Sequence, residues 1–263
     1  MEAVRIHPFG WPEVIVLDDV PAPSAGNGEV LVRVAAAGVG PWDAIIREGQ
    51  RKVSPQPPLT LGSDLSGVVE AIGSDVIGFT IGDEVYGVTN PQFCGAQAEY
   101  AVALAAMLPP RPYSPSHLEA ASAPVIAVTA WQMLFEYALA KTDDLVMITG
   151  AAGHVGAYTV QLALQAGIQV VAVAAPGMKD CFAGSAWKSS SIPGLPWTCL
   201  RSTASLIWSA EPRFTERLRL LTNLFDSGQI SARVGSVLPL SQARLAQEML
   251  AGTAHKPGKI VLQ

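Results

Sequence analysis

Hydrophobic and polar positions alternate strictly in Glu29-Val30-Leu31-Val32-Arg33-Val34, the two-residue period of a half-buried strand. Short apolar runs between glycines follow at Gly67–Gly73 and Asp83–Gly87. Pro21, Pro23, Gly26 and Gly28 punctuate the start, and Pro55, Pro57 and Pro58 mark a loop. Many short strands with Gly/Pro turns predict a barrel or sandwich over roughly the first 120 residues.

The period changes near Leu118. Leu118–Phe135 is Ala-rich and helical in pattern, with Pro124 as a break. Leu145-Val146-Met147-Ile148-Thr149 carries no charge and reads as a strand buried on both faces of a parallel sheet. Ala157–Ala166 is predicted helical with Gly167 at its end, and Ile168–Val173 is a second buried strand. Together they make one β-α-β unit. In the tail, leucines at 218, 220, 221 and 224 predict a helix over Glu216–Leu224 that Gly228 stops. Ser241–Leu250 reads as a helix starting at a serine cap, and Gly258–Leu262 as a final strand. Cys181–Ala210 breaks the pattern: it has no Asp or Glu, and holds three of the six tryptophans and two of the three cysteines.

Composition adds boundaries. With 49% hydrophobic and 15% charged residues, the chain has ample core material and is not a disordered sequence. The net charge of −5, with scattered positive residues, argues against a nucleic-acid surface. The start Met1-Glu2-Ala3-Val4-Arg5 has no signal-peptide pattern. The apolar stretch Ala120–Phe135 contains Ser122, Pro124, Thr129 and Gln132 and reads as buried protein, not as a membrane span. Cys94, Cys181 and Cys199 form no C-x-x-C pair, which fits a reducing cytoplasm.

The candidate chemistry centres on Gly150-Ala151-Ala152-Gly153-His154-Val155-Gly156. A glycine pattern alone is weak, but this one follows a strand and opens a helix, the context a dinucleotide loop requires. Gly150 lets the chain turn off the strand, Gly153 lets backbone N–H groups approach a pyrophosphate, and Gly156 allows close helix–strand packing. The phosphates then sit at the positive end of the helix dipole. His154 is either a phosphate donor or a tolerated surface residue. An NAD site usually has an acid at the end of the second strand. Here that strand ends in Ala172-Val173-Ala174-Ala175, and the next charge is Lys179. This favours NADP, with Lys179 either near the 2′-phosphate or simply solvated.

The chain resembles the zinc-independent quinone oxidoreductases (zeta-crystallin-like) of the medium-chain dehydrogenase/reductase superfamily over roughly Met1–Ala175 and Arg213–Gln263. The resemblance rests on Ala37–Asp43, Leu61–Val69, Gly82–Gly87, Ala98-Glu99-Tyr100, Thr129-Ala130-Trp131, the glycine loop and Gly258–Leu262. It implies an α/β fold with a β-rich part: a GroES-like β-barrel domain, 1–122 joined by 238–263, and a doubly wound Rossmann domain, 123–237. It also implies hydride transfer from NADPH to a quinone or α,β-unsaturated carbonyl compound, in a cleft between the domains, and a homodimer.

Site residues follow from the resemblance. Thr129 matches a nicotinamide-side contact, with a buried threonine bonding its own helix as the alternative. Trp42 and Phe93 are candidates to line the substrate cleft beside Gly40, as is Tyr86, whose hydroxyl is also a candidate proton donor; plain core packing is the alternative for these aromatics. Gly40 stands where the family often has Asn. Zinc-dependent relatives place Cys near Gly40 and Gly-His-Glu at Gly62-Ser63-Asp64, so no metal is expected; Asp64 reads as a structural carboxylate capping backbone amides.

The Rossmann part is predicted to be truncated. Fewer than 40 residues separate Ala174 from the matching tail at Arg213, room for about one further β-α unit at roughly 30 residues each. The atypical segment 176–210 shows no buried-strand run except Leu206-Ile207-Trp208. A catalytically weak or silent binding protein is therefore the alternative function.

Overall fold

The computed structural model describes residues 1–52, 55–173, 213–254 and 256–263. In chain order the strands are β1 (Glu2–Ile6), β2 (Ile15–Asp19), β3 (Glu29–Val39), β4 (Leu59–Thr60), β5 (Asp64–Ile72), β6 (Glu84–Val88), β7 (Tyr100–Leu104), β8 (Leu145–Thr149), β9 (Gln169–Val173), β10 (Val234–Leu238) and β11 (Lys259–Leu262). The α-helices are α1 (Pro41–Arg47), α2 (His117–Ala121), α3 (Pro124–Trp131), α4 (His154–Gln165), α5 (Phe214–Asp226) and α6 (Ala243–Leu250). The chain divides into two compact units, Met1–Val125 with Pro212–Gln263, and Ile126–Glu211.

The first unit is organised by β3. Along one edge it pairs antiparallel with β5, with register shifts between Leu31 and Val32 and between Val34 and Ala36. Its other edge serves two partners: Glu29–Arg33 pair with β7, and Ala37–Val39 pair with β11. Residues of β3 alternate in burial while they face β7, then become continuously buried from Ala36 to Val39. Val30, Val32, Leu65, Val69, Val85, Ala101, Ala103 and Leu108 form the core beneath the alternating half. Ala36, Ala121 and Val261 pack together over the second half. The strands run β10-β11-β3-β5-β6, with a separate β2-β1-β4 sheet. Among the described residues this path stays open, so the expected β-barrel is realised as two sheets without closure. Bulges of the kind seen in β3 bend a strand and sharpen its twist.

Residues 213–237, read from sequence as part of the nucleotide domain, group here with the first unit. Helix α5 is held there by Leu218, Leu221 and Phe225, all buried, and by the hydroxyl of Thr215, which donates to the carbonyl of Ala106. Helix α6 begins at Ala243, after a 3-10 turn Leu240–Gln242, and Ser241 does not cap it. The predicted break at Pro124 is a helix start: α2 ends at Ala121, and proline, which has no N–H to lose, opens α3.

In the second unit α3 runs on into a π-helical turn, Gln132–Tyr137. Strands β8 and β9 pair in parallel from Leu145↔Gln169 to Thr149↔Val173, and α4 crosses between them. Gly167 (φ 72°) closes α4, its N–H donating to Leu164 while Ile168 N–H reaches Ala163. Burial of these strands departs from the sequence reading. Leu145 (52%), Met147 (39%) and Val173 (41%) are exposed, whereas Ile148 is buried. Among the described residues the sheet has two strands. The expected edge strand Leu206–Trp208 lies outside the described residues. No helix among the described residues is long and apolar enough to cross a membrane.

Candidate active site

In the second unit the glycine turn links β8 to α4 as the sequence predicts. Gly150 takes φ 67°, a left-handed conformation that favours glycine, as the chain leaves β8. Ala151 N–H then donates to Val173 O at 3.0 Å, tying the turn to the end of β9, and Gly153 N–H donates to Gly150 O at 2.8 Å. Gly153 is the N-cap of α4, and His154 and Val155 form its first turn. A Cβ on Gly156 would lie 2.2 Å from Gly150 O and 2.8 Å from Ala151 Cα, so only glycine lets the helix approach the turn this closely. Helix geometry leaves the first-turn N–H groups outside the intrahelical ladder. Ala152 is half-buried at the tip of the turn. Residues Gly150–Gly156 are thus brought together in one close strand–turn–helix link. Thr129 lies in α3 of this unit and is buried, at 8% exposure. Lys179 lies outside the described residues.

The first unit gathers the substrate candidates Gly40 and Trp42 at the start of α1. Gly40 is the N-cap and Pro41 the first helical residue. The indole of Trp42 folds back over Gly40, where a Cβ would stand 2.2 Å from Cζ2. Trp42 Nε1 donates to Ser63 Oγ at 2.9 Å. The Nζ of Lys259 lies 4.1 Å from the indole ring centroid, a cation–π contact.

Lys259 joins a buried charge cluster that the sequence reading missed. Its Nζ is 3.4 Å from Asp64 Oδ2, and both side chains are wholly buried. Asp64 Oδ1 accepts from Val125 N–H at 3.3 Å, so the expected capping of a backbone amide is present but shares the residue with an ion pair. Asp43, also fully buried, accepts at Oδ2 from Gly40 N–H (3.0 Å) and Gln97 Nε2 (3.1 Å), while its Oδ1 has no hydrogen-bond partner. Burial pushes Asp43 up to about 7, against the Gly40 N–H and the Lys259 charge, which pull it down. Burial also pushes Asp64 up to about 6, opposed chiefly by Lys259, and pushes the Lys259 ammonium down. A signal existed: Lys259 is a charge in an otherwise apolar final strand.

Tyr86, the candidate proton donor, packs against α5. It is fully buried, its hydroxyl donates to Leu218 O at 2.9 Å, and Thr222 Oγ1 lies 3.0 Å away. Burial drives its titration upward, so it holds its proton and spends it on α5. Phe93, a cleft candidate, is also buried, with φ 64° and the Arg51 guanidinium 4.5 Å above its ring. Arg51 in turn donates to Pro91 O and Gln92 O. Phe93 therefore pins the 91–94 turn. Among the described residues no group of three or more His, Cys, Asp and Glu side chains could hold a metal ion.

A family model for the alcohol dehydrogenase GroES-like domain matches residues 26–113. A quinone oxidoreductase from Mus musculus is 35% identical over 175 residues, 66% of this chain and 52% of that protein. The chain thus spans about half the length of the curated relatives it matches. The solved quinone oxidoreductase from Coxiella burnetii superposes with a TM-score of 0.80 at 28% identity, covering 100% of this chain and 98% of that one. The Escherichia coli quinone oxidoreductase complexed with NADPH gives 0.83 at 21% identity, covering 100% and 99%, a likeness of fold. A GroES-like segment, a β8-α4-β9 glycine turn and these likenesses converge: the chain carries an alcohol dehydrogenase GroES-like domain and is similar to quinone oxidoreductases over about half of their length.

Proposed function

We propose that this protein is an NADPH-dependent, zinc-free oxidoreductase that reduces a quinone or an α,β-unsaturated carbonyl compound. The observation that carries the reading is the turn Gly150–Gly156, in which the collision a Cβ would make at Gly156 explains why the helix N-terminus stands so close to the strand end. Backbone N–H groups of His154, Val155 and Gly156 hold the pyrophosphate at the positive end of α4. The cofactor's contribution is a hydride; the chain's own residues bind, orient and exclude water. Trp42, held half-buried by Ser63 and Lys259, offers a flat apolar face suited to a quinone or enone. Thr129 orients the carboxamide or a ribose hydroxyl.

NADP is preferred to NAD because no acid follows β9 before Lys179. It is supported further by the likeness of fold to a relative complexed with NADPH. Titration of NADPH and NADH by their fluorescence tests the preference, and NADPH oxidation by 1,4-benzoquinone or an enone tests the reaction. Tighter binding of NADH overturns the cofactor assignment; binding without turnover overturns the enzyme and selects the silent binding protein instead.

A further inference from the structure

Asp43 on α1, Asp64 on β5 and Lys259 on β11 are each 0% exposed. The reaction proposed above uses only the Lys259 ammonium, over the Trp42 ring, and the inference that follows does not depend on that reaction. With all three ionised, the cluster would carry a net charge of −1 in a dry site, and an uncompensated buried charge is strongly unfavourable. One proton removes the imbalance, and the hydrogen bonding says where it resides. Asp64 uses both oxygens, Oδ1 on Val125 N–H and Oδ2 on the ammonium. Asp43 uses only Oδ2, which already accepts two hydrogen bonds, and leaves Oδ1 without a partner. A buried acceptor left unmade costs more than the bond itself contributes, and a proton on Oδ1 removes the charge that most needs one.

We propose that Asp43, Asp64 and Lys259 form a one-proton lock: a proton on Asp43 Oδ1 leaves one carboxylate facing one ammonium, and its loss to solvent loosens the seat of β11 and the start of α1. The placement makes the consequence specific. Lys259 is the first residue of β11, whose Ile260–Leu262 pair with Ala37–Val39 of β3, directly before Gly40 and α1. The cluster thus ties the C-terminal strand to the turn that holds Trp42. The charged groups acting on Asp43 are Lys259 from β11 and Asp64 from β5, while Gly40 N–H and Gln97 contribute neutral dipoles. The order of titration agrees with the geometry, Asp43 being pushed up to about 7 and Asp64 to about 6.

The test is difference infrared spectroscopy of the full chain, following the carbonyl stretch of protonated carboxyls from acid to alkaline pH. Wild type is expected to lose one buried carboxyl band with a midpoint near pH 7. Asp43→Asn should lack that band. Asp64→Asn should move its midpoint to lower pH, because Lys259 then serves Asp43 alone. A parallel measurement is amide hydrogen exchange at Ile260–Leu262. Above the midpoint it should accelerate roughly tenfold relative to the β3–β5 amides of Val30 and Val32, the factor expected for about 1.4 kcal/mol of local destabilisation. Wild type without a neutral-range band, an unchanged band in Asp43→Asn, or β11 exchange that tracks the β3–β5 amides at every pH overturns the lock. If Asp43→Asn does not fold, the wild-type titration and Asp64→Asn still decide it.

Discussion

The indole of Trp42 occupies the space that a side chain on Gly40 would need, with Cζ2 only 2.2 Å from the position of a Cβ. The two residues are one device: the glycine exists for the tryptophan, and the tryptophan is then fixed by Ser63 and Lys259. The family's frequent Asn at this position and the folded-back Trp42 are mutually exclusive in this geometry.

Replacing Gly40 by Ala or Asn should therefore displace the indole. Overpacking a filled site costs about 1–3 kcal/mol. Chemical denaturation should show that loss, and the double variant Gly40→Ala/Trp42→Ala should recover part of it, since removing the ring removes the clash.

Gly156→Ala places a methyl group 2.2 Å from Gly150 O. The helix must retreat from the turn, and the backbone donors retreat with it. NADPH affinity should fall at least about tenfold, equivalent to ~1.4 kcal/mol, as read by fluorescence titration. The far-UV circular dichroism should stay close to wild type.

Tyr86→Phe separates packing from proton transfer. The hydroxyl is bonded to Leu218 O, which keeps the Thr222 hydroxyl as a donor, so its removal loses one buried hydrogen bond, at a cost of about 0.5–1.5 kcal/mol. The melting temperature should drop while kcat with a quinone stays within about twofold, far less than the 10²–10⁴-fold expected from losing a general acid. A collapse of kcat in a folded variant would restore Tyr86 as the proton donor.

The buried acids give a signed pH dependence. Asp43 and Asp64 titrate higher in the folded chain, about 7 and about 6, than the usual carboxylate range near 4. Their contribution to stability is fully present below about pH 4 and is lost as pH rises through 6 and 7. Each pH unit separating folded from unfolded titration is worth ~1.4 kcal/mol. Comparing urea midpoints at pH 5 and pH 8, the ratio of stabilities should shift in favour of Asp43→Asn at the higher pH, because the variant never has to bury that charge.

Sequence reading and structure agree where the determining interactions are local. The alternation through Glu29–Val34 is the strand β3, and the turn chemistry of Gly150–Gly156 is the link from β8 to α4. Pro124 was legible as a break, but its role as a helix start depended on where α2 ended. The surroundings of Tyr86 and Phe93 are not legible along the chain for one reason: an aromatic near glycines has the same pattern whether it lines a cleft or sits under a helix, and the contacts with α5 and Arg51 come from the tertiary structure.

What the sequence by itself determined is the set of elements and the glycine turn, because both arise from side-chain periodicity and from backbone conformations open to a few residue types. The tertiary structure alone decided the charge cluster. Asp43, Asp64 and Lys259 are separated by up to 216 positions (259 − 43), and no local pattern joins them. They meet because β11 pairs with the second half of β3 just before α1 begins, and that pairing removes all three from water at once. Desolvation is a property of the assembled fold, so the proton it demands cannot be read along the chain.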